Sequence, residues 1–428
     1  MRLRKTALVA AGLVAVLAAA AGCGSGSGAG GGTKNSDGSV TIDWQMWAGS
    51  SDEQKQLDHL TKLVHQKYPK INLKLRTAPF KDYFTKLQTE MSAGKQACLV
   101  SMQSLRLPGF AANLEPLDQL AKDADLSGFD PAALKALKAD GKQYALPMDL
   151  GALMMYYNAD AFKKAGLKAP AKGWTIDEFV ADAKALKAKS GKPGFGMSFS
   201  DLNLMSLLYA YNGAQPVSGD KLTLTGKKMQ DAMTWYTELA TKEKVGSVPA
   251  SSSEGGWGET QFANGNAMMA VDGTWNIGST IGQAKFNASV APLPVGSAGA
   301  RTYVANSGYG ISTNCAYKKQ AFQALSVLTG DEAEGYLADQ GRAYPARTSQ
   351  QPKFGEYLAK QDPKKADLVK NALATVKDGL DGSVPFTTTQ NWDQVNQLFS
   401  QYLLQAYTGA TSPKNALDTV QQRAQRGA

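Results

Sequence analysis

The chain has 428 residues, 43% of them hydrophobic and 19% charged, and a formal net charge of +9. This composition is typical of a soluble globular protein with enough chain for two domains. The lysines are spread among acidic residues without a basic block, so the sequence gives no support for nucleic-acid binding.

A short basic opening and an apolar run over residues 6–21 predict a signal peptide over residues 1–22. The run is too short to span a bilayer comfortably. The small residues before Cys23 resemble the bacterial lipobox, in which the leader is cut off and a diacylglycerol is attached to the cysteine thiol. The alternative is an ordinary signal peptide that happens to contain a cysteine.

Residues 24–39 read GSGSGAGGGTKNSDGS, a composition that forms no core. We therefore predict a flexible Gly/Ser tether over residues 23–39, which would hold a folded body away from the membrane.

From residue 40 the chain alternates between strand and helix patterns. Apolar residues alternate over 40–46 and 71–75, and they recur at helical spacing over 57–68 and 84–91. A second alternating region begins near Ala152, with a buried-strand run over 154–157 and a helix opened by Thr175 and Glu178. The region after 351 is helical. This order predicts an α/β fold with open, largely parallel sheets.

Several blocks follow one another in a recognisable order: TIDWQMWAGS, GKQYALPMDLGALMMYYNADAFKKAGL, GWTIDEF, ETQFANGNAMMAVDGTWNIGS, APLPVG, GYGIST and GRAYPARTS. Their order and spacing resemble the extracellular solute-binding proteins of bacterial ABC importers, the group that includes maltose-binding protein. The resemblance covers almost the full length of the predicted mature chain.

The resemblance implies a periplasmic-binding-protein-like fold, with two α/β lobes, a hinge and a ligand cleft between the lobes. The first lobe would take residues 40–149 and 305–350, and the second would take residues 150–304 and 351–428. The crossings would fall near Asp149–Ala152 and Thr302–Asn306. Closure of the lobes would be the signal that the transporter reads.

Cys98 and Cys315 are the other cysteines of the chain. In the family's fold the GYGIST strand lies antiparallel beside the third strand, which would bring these two residues together. The resemblance therefore implies a Cys98–Cys315 disulfide, suited to an exported protein. Two small buried thiols are the alternative.

A sugar presents C–H faces and a rim of hydroxyls, so its binder needs aromatic platforms and polar groups. Trp275 in DGTWN and Trp392 in TTTQNW match positions that stack on sugar in the family. Trp257, in a glycine-rich loop, and Trp47, at the end of the first strand, are further candidates, although Trp257 could instead face the transporter. The polar candidates are Asp149, Arg342, Ser50, Gln103, Asn212 and Ser307. Asp149 could instead cap the hinge, and Arg342 could tie the lobes together.

These residues predict a monomeric, lipid-anchored binding protein on the extracellular face of the cell membrane. It would capture a carbohydrate of the oligosaccharide class and deliver it to the permease subunits of an ABC importer. We expect no cofactor, no metal and no catalysis, since His59 and His65 are six residues apart on one helix and no catalytic signature is present. The alternatives are a non-sugar solute, such as a polyamine, iron or a phosphate ester, or a role as a sugar sensor.

Overall fold

The structure is a computed structural model that describes residues 31–251, 256–361 and 366–426. The predicted signal peptide and Cys23 lie outside these residues. Within them, no helix is both long and apolar enough to cross a membrane.

The strands, in chain order, are β1 (Gly32–Lys34), β2 (Val40–Trp47), β3 (Ile71–Ala78), β4 (Leu99–Gln103), β5 (Lys138–Ala139), β6 (Lys142–Gln143), β7 (Ala145–Pro147), β8 (Gly151–Asn158), β9 (Phe195–Gly196), β10 (Val217–Ser218), β11 (Lys221–Leu222), β12 (Gly246–Ser247), β13 (Met269–Gly273), β14 (Ala288–Ala291), β15 (Thr302–Ala305), β16 (Ser307–Ile311) and β17 (Ser383–Pro385).

The helices are α1 (Ser51–Lys67), α2 (Phe80–Ser92), α3 (Leu107–Phe110), α4 (Pro131–Ala136), α5 (Ala159–Ala165), α6 (Ile176–Ser190), α7 (Asp201–Asn212), α8 (Lys227–Thr241), α9 (Trp257–Ala263), α10 (Ile277–Gln283), α11 (Lys318–Leu328), α12 (Asp331–Asp339), α13 (Gln351–Gln361), α14 (Ala366–Asp381), α15 (Trp392–Tyr407) and α16 (Pro413–Arg426).

The first sheet is built around β2, which pairs in parallel with both β3 and β4. Helices α1 and α2 supply the two crossovers, so the predicted alternation of strands and helices is confirmed. The returning strand β16 lies antiparallel between β4 and β7. Because β2, β3 and β4 run the same way, their carboxyl ends lie at one edge of the sheet.

The second sheet is built around β8, all eight residues of which are buried. This strand pairs antiparallel with β13, β14 and β15, and the sheet continues outward through β9 and β12 on one side and β17 on the other. The uninterrupted burial of β8 explains why it reads as a continuous apolar run in the sequence. The two sheets with their helices give the predicted two-lobed α/β fold. The expectation of largely parallel sheets is wrong for the second sheet, which is mixed because β8 pairs antiparallel with all three of its neighbours.

The chain changes sheet at two closely spaced places. It leaves the first sheet after β7 and enters the second at Gly151, and it returns between β15 and β16, where only Asn306 separates the two strands. Asp149 lies beside Pro345 in an isolated β-bridge, so a third segment runs alongside the first crossing.

The predicted tether is wrong for the part that the structure describes. Residues 32–34 form β1, which pairs antiparallel with residues 40–42 of β2. In the turn between them, the Asn35 amide donates to the Ser39 carbonyl and the Gly38 amide donates to the Asn35 carbonyl. Main-chain pairing to an exposed strand edge needs no large side chains, so a glycine-rich segment can join the sheet.

Cys98 and Cys315 form a disulfide, with their Cα atoms 4.7 Å apart. The residue pair Leu99 and Ile311 in β4 and β16 lies directly beside it, so the bridge ties the start of one strand to the end of the other. Both cysteines are buried in the core of the first lobe.

Removing this disulfide should destabilise the protein, because the bridge closes a loop of 217 residues. The loss of a constraint of this length is worth about 2–5 kcal/mol of unfolding free energy. We expect the double variant Cys98→Ala/Cys315→Ala to melt at a lower temperature than the oxidised protein. Added reductant should lower the melting temperature of the unmodified protein and leave that of the double variant unchanged; equal melting temperatures in all four samples would contradict the prediction.

Candidate functional site

The candidate site lies where the two lobes face each other. On the first lobe, β2 and β4 end at Trp47 and Gln103, and α2 begins at Phe80, just beyond the end of β3. On the second lobe, β13 ends at Gly273 and α7 begins at Asp201. The two crossings between the sheets, at residues 148–150 and at Asn306, also lie in this region. In open α/β sheets, ligands bind in the crevice outside the carboxyl ends of the strands.

Trp275 lies directly after β13 and is 36% exposed, one of two large hydrophobic residues exposed to this extent in the described part of the chain. Its ring packs against the backbone of Gly273 and Gly151, where a Cβ atom at either glycine would overlap it. Only glycine therefore allows the indole to approach the backbone so closely. The exposed part of the ring remains available for a ligand ring.

An aromatic cluster lines the first lobe at the end of β2. The Trp47 ring lies 5.4 Å from that of Phe80, 5.2 Å from that of Tyr83 and 6.0 Å from that of Phe84, measured between centroids. Phe80 is 46% exposed. Phe80 is not among the residues predicted from the sequence, although its position two residues after β3 is a signal for the site.

Trp392 is not available to a ligand in this structure, contrary to the prediction. It is 1% exposed, its indole N–H donates to the Asp201 carboxylate at 2.7 Å, and its ring packs against Phe386 and Phe399. Trp392 is the first residue of α15 and lies on the buried face of that helix. Its role is in the core of the second lobe.

Trp257 begins α9 and is half-buried. Its indole N–H donates to the Ser247 hydroxyl at 3.2 Å. This bond fixes the ring against β12, and the contact of Trp257 with a ligand stays a prediction.

Two buried carboxyl groups interact in the second lobe, Asp272 in β13 and Glu259 in α9. Asp272 accepts bonds from the Gly273 amide and the Asn276 side chain, each at 2.8 Å. Glu259 accepts from the Asn203 side-chain amide at 2.5 Å. Burial raises the pKa of both groups, and the charge of Asp272 raises the pKa of Glu259 further. The sequence did not identify this pair, because α9 and β13 bring it together only in the folded lobe.

Arg106 of the first lobe reaches into the second lobe. It lies 2.8 Å from a carboxylate oxygen of Asp201 and 2.7 Å from one of Asp393, and its side chain is 6% exposed. The Thr388 hydroxyl also donates to the main-chain carbonyl of Leu105 at 2.8 Å. Buried charge pairs that join two bodies fix their relative placement, because separating them would leave buried charges uncompensated.

Asp149 and Ser307 meet at the crossings. The Ser307 amide donates to the Asp149 carboxylate at 2.5 Å. Burial raises the pKa of Asp149 to about 7, while the hydrogen bonds from Ser307 and the charge of Arg342 oppose this rise. The geometry gives Asp149 a hinge-capping role and leaves ligand contact by either residue as a prediction.

Arg342 does not tie the lobes together. Its guanidinium lies 3.0 Å from the Glu53 carboxylate, and it donates to the Trp47 carbonyl at 3.1 Å and more weakly to Gln56. These partners all belong to β2 and α1 of the first lobe. Arg342 therefore orients the end of β2 that carries Trp47.

The other polar candidates differ in position. Ser50 caps α1 by accepting from the Glu53 amide at 3.2 Å. Gln103 ends β4, where its main chain pairs with Ser307. The prediction that Asn212 belongs to the site is wrong. Asn212 ends α7, about 17 Å along the helix from Asp201 at 1.5 Å per residue. Its side chain forms hydrogen bonds with the main chain of Lys228 and Ala214.

A separate cavity of about 230 Å³ lies within the second lobe, between β8, β15 and α14. Leu153, Thr302 and Gly379 line it, and a Lys172–Asp378 ion pair of 2.8 Å stands at its rim. None of the aromatic or carboxyl groups described above lines this cavity. We therefore place the candidate site in the interlobe cleft, where aromatic and polar side chains converge.

A family model described as bacterial extracellular solute-binding protein matches residues 50–335. The chain belongs to this family. Bacterial extracellular solute-binding proteins are binding proteins rather than enzymes, and the recognition of a maltose-binding-protein-like chain from its sequence blocks is confirmed.

Among curated relatives of this solute-binding protein, a Brucella abortus protein named as a binding protein is 35% identical over 148 residues, which is 34% of this chain and 36% of the relative. A lactose-binding protein of Rhizobium radiobacter is 23% identical, covering 60% of this chain and 62% of its own length. An arabinooligosaccharide-binding protein of Bacillus subtilis is 24% identical, covering 61% and 62%. The chain thus matches less than two thirds of the length of each relative.

Solved structures show the same fold. An ABC substrate-binding protein of Listeria monocytogenes, in complex with cycloalternan, has a TM-score of 0.79 at 24% identity, and covers 90% of this chain and 98% of its own. The maltose-bound MalE3 of T. maritima has a TM-score of 0.74 at 20% identity, covering 91% and 100%.

Stability should depend on pH through Asp149. Its pKa is raised from 3.8 to about 7 in the folded protein, so the folded state holds this proton more tightly than the unfolded state. The resulting stabilisation is complete below about pH 4 and is lost as pH rises through 7, with a slope of at most about 1.4 kcal/mol per pH unit. Asp149→Asn cannot ionise and can still accept from Ser307, so it should gain stability relative to the unmodified protein between pH 5 and pH 8.

Urea unfolding of both proteins at several pH values gives this difference directly. The exposed Asp231→Asn substitution on α8 serves as the control and should show no such trend. A difference between Asp149→Asn and the unmodified protein that is independent of pH would refute the assignment.

Proposed function

We propose that this solute-binding protein captures a carbohydrate of the oligosaccharide class in the cleft between its lobes and delivers it to the permease subunits of an ABC importer. The observation that carries the proposal is the exposed indole of Trp275, held against glycine backbone beside hydrogen-bonding carboxyl groups. Such a combination suits a sugar ring, which offers an apolar face and polar edges to the same surface.

The relatives support the sugar assignment. The curated relatives include proteins named for lactose and for arabinooligosaccharide, and a similar structure holds cycloalternan. The exposed ring of Phe80, with Trp47 behind it, offers a second aromatic surface on the opposite lobe. Two platforms on facing lobes suit a ligand of more than one ring, and they explain how a ligand would favour the closed arrangement.

A site held on the outside of the cell requires export and retention. The apolar leader and Cys23 support attachment of a diacylglycerol to the Cys23 thiol. The protein would then act on the extracellular face of the cell membrane, and we propose that it does so as a monomer. Energy for transport would come from an ATPase on the other side of the membrane.

The carbohydrate proposal is tested by calorimetric titration of residues 31–428 with a panel of mono- and oligosaccharides. For any sugar that binds, Trp275→Ala should weaken affinity by more than about tenfold, because aromatic stacking on a ligand ring contributes on the order of 1–3 kcal/mol. Trp235→Phe is the matched control, since Trp235 stacks on Tyr211 at 4.5 Å, packed against the core of the second lobe. An unchanged affinity in Trp275→Ala would remove the principal site assignment.

The anchor proposal is tested by Cys23→Ala in the full-length chain. The substituted cysteine cannot carry the lipid, so the protein should move from the membrane fraction to the culture medium. Quantitative immunoblotting of both fractions measures this shift. A variant that stays in the membrane fraction as completely as the unmodified protein would show that something other than the thiol retains it.

A further inference from the structure

Strand β1 shortens the length of chain between the proposed lipid anchor and the folded body. The strand begins at Gly32, and the Gly31 carbonyl already accepts from the Asp43 amide of β2. Eight residue steps therefore join Cys23 to Gly31, and an extended chain of this length spans at most about 29 Å. A lipid on Cys23 would thus hold the part of the first lobe around β1 within this distance of the membrane.

This part of the first lobe is the edge opposite the cleft, which we call the base. Strands β2 and β3 start there, with Val40 paired to Ile71, and Lys34 at the end of β1 pairs with Val40. From Val40 to Trp47, β2 rises about 23 Å at about 3.3 Å per residue. A membrane against the base would therefore leave the cleft uncovered.

Exposed lysines surround the place where the chain enters the base. The five lysines, which we call the base patch, are Lys34, Lys67, Lys70, Lys95 and Lys319. Lys34 lies in β1, and Lys67 is the last residue of α1. The Nζ atom of Lys70 donates to the Asp37 carbonyl, in the turn after β1, at 2.9 Å.

The other two lysines of the base patch lie beside contacts with the entering chain. Lys95 precedes Gln96, whose carbonyl oxygen would lie 3.0 Å from a Cβ atom at Gly31. Lys319 is two residues beyond Tyr317, whose ring would lie 3.0 Å from a Cβ atom at Gly32. All five lysines are thereby gathered around the first residues that the structure describes.

Little acidic charge offsets the base patch. None of its five lysines belongs to an ion pair among the described residues, whereas the neighbouring Lys318 pairs with Glu115 at 2.6 Å. The Asp37 carboxylate lies among the five lysines, and hydrogen bonds from Ser39, together with the charge of Lys70, lower its pKa. Five lysines and one aspartate leave this surface with a net positive charge.

We propose that the base patch docks onto anionic phospholipid headgroups of the membrane that holds the lipid anchor. The inference rests on the anchor proposed at Cys23 and goes beyond it, because it assigns a surface and an orientation to the anchored protein. Lysines are attracted to an anionic membrane surface only within a Debye length, about 8 Å at physiological ionic strength. The short connection keeps the base near the headgroups, so that a weak attraction acts at a high effective concentration.

The test measures binding to lipid vesicles without help from the anchor. Residues 24–428 contain every residue that the structure describes, and they lack the leader and Cys23. This chain is mixed with vesicles of equal parts phosphatidylglycerol and phosphatidylcholine, or of phosphatidylcholine alone, and bound protein is measured by cosedimentation. We expect the anionic vesicles to bind at least about tenfold more tightly, and added salt to reduce the difference.

Lys34→Gln/Lys70→Gln/Lys95→Gln should weaken binding to the anionic vesicles by at least about tenfold, because each lysine near such a surface contributes about fivefold. The matched control is Lys189→Gln/Lys221→Gln/Lys285→Gln, which removes the same charge from exposed lysines of the second lobe. It should leave binding nearly unchanged, and circular dichroism should show that both variants are folded. Equal weakening in the two variants would overturn the proposal, because binding would then follow net charge. Equal binding to the two kinds of vesicle would also overturn it.

The full-length lipidated protein tests the orientation. On anionic vesicles, amide hydrogen exchange in the turn over residues 35–39 should be slower than on neutral vesicles, and unchanged exchange there would overturn docking through the base. A chain that acquires no lipid overturns the anchor at Cys23, while the vesicle titration still decides the base patch. A chain that binds vesicles but no saccharide overturns the carbohydrate function and supports the base patch.

Discussion

The main-chain connection at Asn306 is the constraint on which the two-lobed arrangement depends. One residue separates a strand of the second sheet from a strand of the first, so the two sheets cannot move far apart at this point. Asn306 exchanges two bonds with Ser104, and its side chain donates to the Ala133 carbonyl at 2.9 Å. The crossing is thereby pinned to the first lobe, and the cleft must open and close about it.

The polarity of the cleft follows from this arrangement. Strand and helix ends that meet at the crossings bring polar groups to the inner surfaces of both lobes, where water is partly excluded. The second lobe contributes the carboxyl groups of Asp201, Glu259 and Asp272. Of these three, only Asp201 forms an ion pair with a buried arginine of the first lobe. Glu259 and Asp272 form no ion pair in the part of the chain that the structure describes, and burial raises the pKa of both, which favours their protonated forms.

Much of the fold could be predicted from the sequence, because strand and helix periods are local signals. The alternation around β2 and the apolar run of β8 reflect how each strand is buried, and the order of the family's blocks fixed the connections. The prediction of a flexible tether is wrong for residues 32–39. Amino-acid composition indicates whether a segment can form a core, but it does not show whether the backbone of that segment pairs with a strand.

The candidate site was less predictable. Trp275 could be located by its motif, but Glu259 and Asp272 become neighbours only when α9 packs beside β13. Trp392 was assigned to the site because its position matches a sugar-stacking position of the family. Val395 and Phe399 follow three and seven residues later, which is the spacing of one helix face. This spacing correctly predicts that Trp392 lies on the buried face of a helix.

The bond between Trp392 and Asp201 has an optical consequence. The same carboxylate oxygen that accepts the Trp392 indole N–H also pairs with Arg106 of the opposite lobe. An indole is sensitive to charges placed beside its nitrogen, so withdrawal of the arginine would alter the field at a tryptophan that no ligand touches. A change in the spacing of the lobes should therefore alter the emission of Trp392.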